Sequence, residues 1–213
     1  RFSLLYPRIF KDQLRAMLRA SAFGNLNIMF PMISNLEELQ SANKLVNEVK
    51  EELKNVGVNF DDSIEVGIMI EIPSAATICD ILADHCDFFS VGTNDLMQYM
   101  LAVDRGNERV ASLYQPCHPA VLRVLKQIVE QSNMKDQPLS ICGELAGDMI
   151  FVPLLIGLGM RNLSVSPAVV PAIKYLIRKI SIEETEDLAS NIMKMSDSEE
   201  IFESLKDFYS LKK

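Results

Sequence analysis

Short apolar runs that alternate with amphipathic helical stretches constrain this chain more than any other feature. Residues 27–32, 64–72, 87–92, 139–142 and 163–166 read as five strands. Between them, apolar residues return at helical spacing. Pro7 opens a helix carrying Phe10, Leu14, Met17, Leu18 and Ala22, and Gly24 closes it. A second carries Leu36, Leu39, Leu45, Val46, Val49 and Leu53 behind an expected capping box at Ser34 and Glu37. Pro73 starts a third with Ala75, Cys79, Leu82 and Cys86 on one face, residues 94–101 begin a fourth, and residues 119–131 form a clear fifth. Two of the three closing helical segments carry expected capping boxes at Ser181/Glu184 and Ser196/Glu199. Apolar strands separated by helices predict a parallel sheet covered on both faces. Two architectures suit it: an open doubly wound sheet, or part of a (β/α)8 barrel. No composition break, repeat or low-complexity stretch divides residues 1–213, so a single domain is expected.

Composition narrows the partners. The formal net charge of -8 argues against nucleic acid, whose phosphates need a basic face. The longest apolar run, residues 149–160, is too short to span a bilayer and contains Pro153, Gly157 and Gly159. With 4 cysteines and no secretory leader, the expectation is a reduced, cytoplasmic protein. The chain starts with Arg1 rather than Met, which leads us to expect a piece of something longer.

In parallel α/β folds, ligands bind at the carboxyl ends of the strands. Glu71 ends the second strand, Asn94 and Asp95 follow the third, and Cys142 and Glu144 follow the fourth. Each admits a plain alternative. Glu71 suits a solvated loop, Thr93, Asn94 or Asp95 suits a helix cap, and Cys142 suits a small packed side chain. Together, two carboxylates and an amide at neighbouring strand ends suit a hard cation. Magnesium takes one or two carboxylates and fills its shell with water and phosphate oxygens. Arg105 is placed at the end of the following helix, where it can face an anion. Cys79 and Cys86 read as structural, and His85, Cys117 and His118 lack zinc-ligand spacing. The chain has no P-loop, no dinucleotide-binding glycine turn and no serine nucleophile elbow.

Residues 87–105, with Ser90-Val91-Gly92-Thr93-Asn94-Asp95 at their centre and Arg105 at their end, resemble the signature of the phosphoenolpyruvate-utilising enzymes. Ile70-Glu71-Ile72-Pro73-Ser74-Ala75-Ala76 and Cys142-Gly143-Glu144-Leu145-Ala146-Gly147 resemble two further motifs of that family, in the same order. The family includes pyruvate phosphate dikinase, phosphoenolpyruvate synthase and Enzyme I of the bacterial sugar phosphotransferase system. Residues 13–21, residues 28–33 and the run after Cys142 are most similar to Enzyme I.

The resemblance implies a (β/α)8 barrel of which the last five strands are present and about three are missing. It implies magnesium on Glu71 and Asp95, phosphoenolpyruvate against Asn94, Asp95 and Arg105, and Cys142 as the acid that protonates the enolate carbon to give pyruvate. A parent of the Enzyme I kind passes phosphate through its own histidine to the histidine phosphocarrier protein for sugar uptake, and forms a homodimer. The histidine domain and several phosphate-binding arginines would precede Arg1, so this chain alone is expected to be inactive. Two alternatives stand beside it: a barrel from the dikinase or synthase, and a non-catalytic dimerisation module.

Overall fold

Proline, glycine or a helix start follows within three residues of each of β2, β3 and β4, which keeps the strands short and their carboxyl ends level. The computed structural model describes residues 1–213. Helices α1 (Phe2–Leu5) and α2 (Pro7–Ser21) lead to β1 (Ile28–Phe30), α3 (Leu36–Asn55) and β2 (Val66–Ile70). Then come α4 (Pro73–Thr77), α5 (Cys79–Ala83), β3 (Phe89–Gly92), α6 (Thr93–Met100) and α7 (Pro119–Met134). The chain continues through β4 (Leu139–Cys142), α8 (Glu144–Gly147), α9 (Val152–Gly157) and β5 (Asn162–Leu163). Helices α10 (Val170–Ile177), α11 (Ile182–Ile192) and α12 (Ser198–Ser210) close it.

All neighbouring strands pair in parallel, in the order β1-β2-β3-β4-β5. A doubly wound sheet reverses its strand order at a switch point, whereas a barrel wall does not. The sheet is therefore an arc of barrel-type wall, and β1 and β5 do not pair with each other.

Alternation along the strands separates two faces. Ile28, Phe30, Ile68, Ile70, Phe89, Val91 and Ile141 are buried in one core with Leu39, Val46, Leu82 and Leu125 of the helices. The other face carries small and polar side chains together with Met29 and Met69. Register pairs Met29 with Gly67, Met69 with Ser90, Ser90 with Ser140, and Gly92 with Cys142. This face is less completely covered than the apolar runs predict, and Met29 is 38% exposed.

Three helix starts differ from the sequence expectation or sharpen it. Asn35, not Ser34, caps α3 by accepting from the Glu38 amide at 2.8 Å, while the Ser34 amide and hydroxyl donate to the Glu38 carboxylate. Asp197, not Ser196, caps α12. In both cases an Asn or Asp oxygen one residue nearer the helix reaches the free amides better than the serine. The Ser181/Glu184 capping box of α11 is present. The helix expected after Pro73 breaks at Ile78, where the Thr77 hydroxyl bonds back to the Pro73 carbonyl, and Cys86 lies beyond its end.

Gly157, the last residue of α9, sits hard against α11. A Cβ there would run into the Thr185 carbonyl and lie 3.0 Å from the Ala189 Cβ, whereas one at Gly24 would meet nothing within 4 Å. Gly157→Ala should therefore lower stability by about 1–3 kcal/mol through overpacking. Gly24→Ala should leave it nearly unchanged. Urea midpoints of both variants check this, and equal midpoints would contradict the packing described.

Candidate functional site

Glu71 follows β2 directly and is only 3% exposed. Burying a carboxylate is costly unless hydrogen bonds satisfy it. One oxygen, Oε1, accepts the Met32 backbone N–H at 2.7 Å. Met32 lies just past β1 with a φ of 59°, in the left-handed region that a non-glycine residue rarely occupies. The other oxygen lies over the end of β3: a Cβ at Gly92 would come within 2.9 Å of Glu71 Oε2 and 2.8 Å of Met69 Sδ. Glycine is thus required there for Glu71 to lie as it does. Burial pushes the Glu71 carboxyl above the usual carboxylate range; the Met32 N–H opposes the shift, and neighbouring Asp95 adds to it.

Asp95 lies in the first turn of α6, beside Asn94 and Thr93. No side chain caps this helix, so none of the three serves as the cap that a plain reading allows. They reach sideways instead. The Thr93 hydroxyl donates to the Cys142 carbonyl at 2.9 Å, and Asn94 Oδ1 accepts the Glu144 amide at 3.2 Å. These contacts tie the carboxyl ends of β3 and β4 together. Gly143, with φ of 93°, makes them possible: a Cβ there would collide with Thr93 Oγ1 and sit 3.0 Å from Asn94 Oδ1.

Cys142 ends β4 on the face shared with Ser90 and Gly92. Its thiol donates to the Val91 carbonyl at 3.4 Å, and the Ser90 hydroxyl donates to its sulfur at 3.7 Å. All four cysteines are free. The other three are packed thiols: burial pushes Cys79 up to about 11 and Cys86 and Cys117 to about 12.

Arg105 does not end a helix. Helix α6 stops at Met100, Ala102 takes a φ of 53°, and Arg105 lies exposed in the turn beyond. No carboxylate lies within salt-bridge distance of it. Its neighbourhood is marked by Tyr114, a residue the sequence did not single out. Tyr114 donates to the Asn94 carbonyl at 3.3 Å. Burial raises its phenol pKa, the Arg105 guanidinium opposes the rise, and Glu144 and Asp95 add to it. Glu71, Asn94, Asp95, Cys142 and Arg105 therefore gather at one end of the sheet, joined by Met32, Ser90, Thr93 and Tyr114. Ser90 had a signal in the sequence, as the one polar residue inside an apolar strand.

Two adjacent carboxylates without a counter-charge suit a divalent cation that takes one or two carboxylates and leaves its other positions to water and ligand. No group of three or more His, Cys, Asp or Glu side chains gathers anywhere in the chain. The donor set is hard oxygen, fitting magnesium better than zinc.

The raised Glu71 carboxyl has a consequence for stability. Below the carboxylate range both folded and unfolded states hold the proton, and burial costs no charge. As pH rises through the folded-state value, that advantage is lost and a buried charge remains. With divalent cations chelated, Glu71→Gln should match the wild type at about pH 4 and be the more stable at about pH 8. Chemical denaturation at both values tests this; a wild-type advantage at the higher pH would contradict it.

Comparisons with known proteins identify a family. The family described as "PEP-utilising enzyme, PEP-binding domain" matches residues 1–182. A phosphoenolpyruvate-protein phosphotransferase of Staphylococcus carnosus is 46% identical over 208 residues, 98% of this chain and 36% of that protein. Proteins of the same name from Staphylococcus aureus and Priestia megaterium are each 44% identical, over 98% and 99% of this chain. The chain spans little more than a third of the length of these curated relatives, 36% and 37%. Among solved structures, a citrate lyase from Burkholderia xenovorans LB400 superposes with a TM-score of 0.58 at 16% identity, covering 94% of this chain and 68% of the other. That likeness concerns the fold alone, and it sides with the barrel over the doubly wound sheet. With a family match over most of its length and near-complete alignment to these relatives, the chain belongs to the phosphoenolpyruvate-utilising enzymes, as their phosphoenolpyruvate-binding domain.

Proposed function

We propose that this chain is the phosphoenolpyruvate- and magnesium-binding part of a phosphoenolpyruvate-protein phosphotransferase. The parent passes the phosphoryl group of phosphoenolpyruvate to a histidine of its own, and from there to the histidine phosphocarrier protein. The observation that carries the reading is the meeting of Glu71, Asp95, Asn94 and Cys142 at the carboxyl ends of β2, β3 and β4. The shared name of the relatives supports it. Free thiols throughout support a reducing, cytoplasmic setting.

Glu71 and Asp95 would hold magnesium. When bound, the ion supplies positive charge that offsets charge developing on ligand oxygens. Asn94 and Arg105 supply donors for the anionic ligand, with Arg105 free of any competing carboxylate. Asn94 is positioned by the Glu144 amide and Tyr114. Loss of the phosphoryl group leaves the enolate of pyruvate, which needs a proton on its methylene carbon. Cys142 is the thiol at the carboxyl end of the sheet, half-buried at the end of β4, where its proton can be delivered to a ligand.

We expect neither histidine of this chain to receive the phosphoryl group. His85 lies in the connection entering β3, at the opposite end of the strands from Glu71 and Cys142. His118 caps α7, its Nδ1 accepting the Ala120 amide at 3.1 Å. Incubation of the 213-residue chain with radiolabelled phosphoenolpyruvate and magnesium should therefore label no residue; stable labelling of either histidine would contradict this. In the intact parent, Cys142→Ala should lower turnover by roughly 100-fold or more, the range of general acid catalysis. Binding of phosphoenolpyruvate, read by calorimetry with magnesium present, should stay near its original strength. Unchanged turnover would remove Cys142 from the mechanism.

A further inference from the structure

Ser90 sits in the middle of β3, 6% exposed, on the sheet face that also carries Cys142. Its hydroxyl makes one hydrogen bond, to the sulfur of Cys142 at 3.7 Å. Its register partner Ser140 behaves differently and donates to the Phe89 carbonyl at 3.4 Å. A buried hydroxyl normally donates to a strong acceptor, and a neutral thiol is a weak one. A thiolate is a strong acceptor, because hydrogen bonds to ionised groups are about twice as strong as neutral ones. The Ser90 hydroxyl is thus poorly rewarded while Cys142 holds its proton and well rewarded once the proton has left. An interaction stronger after the step than before it is of the kind that accelerates the step.

We propose that Ser90 is a positioning residue for Cys142, holding the sulfur at the end of β4 and donating to the thiolate that forms when the proton is delivered. In that step the S–H bond breaks and the electron pair stays on sulfur. The enolate's carbon–carbon π pair takes the proton, a C–H bond forms, and the enolate oxygen becomes the keto carbonyl of pyruvate. Water then returns a proton to the thiolate. The thiol's second contact, its bond to the Val91 carbonyl at 3.4 Å, exists only while the proton is present. After delivery that carbonyl faces an anion and offers it nothing, so Ser90 is the only hydrogen-bond donor to the sulfur from the chain.

The inference rests on the proton-donor reading of Cys142, and the test separates the two. The intact parent is prepared as wild type, Ser90→Ala, Ser90→Thr and Cys142→Ala. The pH dependence of Cys142 carbamidomethylation by iodoacetamide is followed by peptide mass spectrometry, alongside steady-state kinetics. The carboxylates on neighbouring elements, Glu71, Asp95 and Glu144, are the same in the wild-type and Ser90 proteins and do not produce a difference between them. Ser90→Ala should move the alkylation midpoint up by about one pH unit, a tenfold loss of thiolate at a given pH. It should lower kcat about tenfold with KM little changed, and Ser90→Thr, which keeps the hydroxyl, should restore both. An unmoved midpoint overturns the proposal even if kcat falls, since the loss would then be one of packing. A moved midpoint with unchanged kcat also overturns it, provided Cys142→Ala is inactive. If Cys142→Ala is fully active, the proton-donor reading fails and the catalytic role of Ser90 fails with it, whatever the midpoint shows.

Discussion

Parallel pairing in one register brings the ends of β2, β3 and β4 level, and the site depends on it. Ile70 lies beside Val91, and Gly92 lies beside Cys142. One residue further along β2, Glu71 comes over Gly92. Because side chains alternate faces at every residue, a slip of one position in either pairing would turn Glu71 or Cys142 into the helix-covered core. The apolar set Ile68, Ile70, Phe89, Val91 and Ile141, all 0–1% exposed, fixes the register by leaving no alternative burial of comparable area. The chemistry of the site is therefore specified by residues that take no part in it.

Around that frame, the strand ends accept local cost. Met32 holds a left-handed backbone that costs a non-glycine residue roughly 1–3 kcal/mol so that its N–H reaches Glu71. Gly143 lies at positive φ where Thr93 and Asn94 leave no room for a side chain. Glu71 is buried beside another carboxylate. These are distinct departures from the most stable local choice, and they fall within one small region at one end of the sheet. Such clustering is a mark of a site shaped for a ligand rather than for folding.

The strands and their order of appearance were legible in the sequence because each is a buried run bounded by proline, glycine or a helix start. Leu139–Cys142 matches to the residue, while β5 shrinks to Asn162–Leu163. Glu71, Asn94, Asp95 and Cys142 were legible for the same reason: a strand end is a place, and a polar residue found there has a direction. Two cap positions were misplaced by one residue because Ser and a neighbouring Asn or Asp compete for the same amides, and only geometry decides between them. Tyr114 and Met32 were illegible for a deeper reason. Tyr114 reaches Asn94 from twenty residues further along the chain, and Met32 contributes a backbone amide, which carries no trace in the sequence at all.

Charge sets a further condition on the proposed ligand. The chain carries a net -8, and the strand ends add Glu71, Asp95 and Glu144 to that field locally. A polyanion approaching this surface meets repulsion unless positive charge is supplied close by. Arg105 is the cation whose field reaches Tyr114 and through it the Asn94 backbone, and one guanidinium does not balance two carboxylates and a phosphate. A divalent cation between Glu71 and Asp95 would reverse the sign where it matters, turning a like-charge pair into an anion receptor. On the proposed function, metal and phosphoenolpyruvate binding are then thermodynamically coupled: each raises the affinity for the other by the same factor. The buried Glu71 carboxyl and the half-buried Asp95 beside it are the physical origin of that coupling, since a cation between them offsets both the burial of charge and the repulsion between the pair.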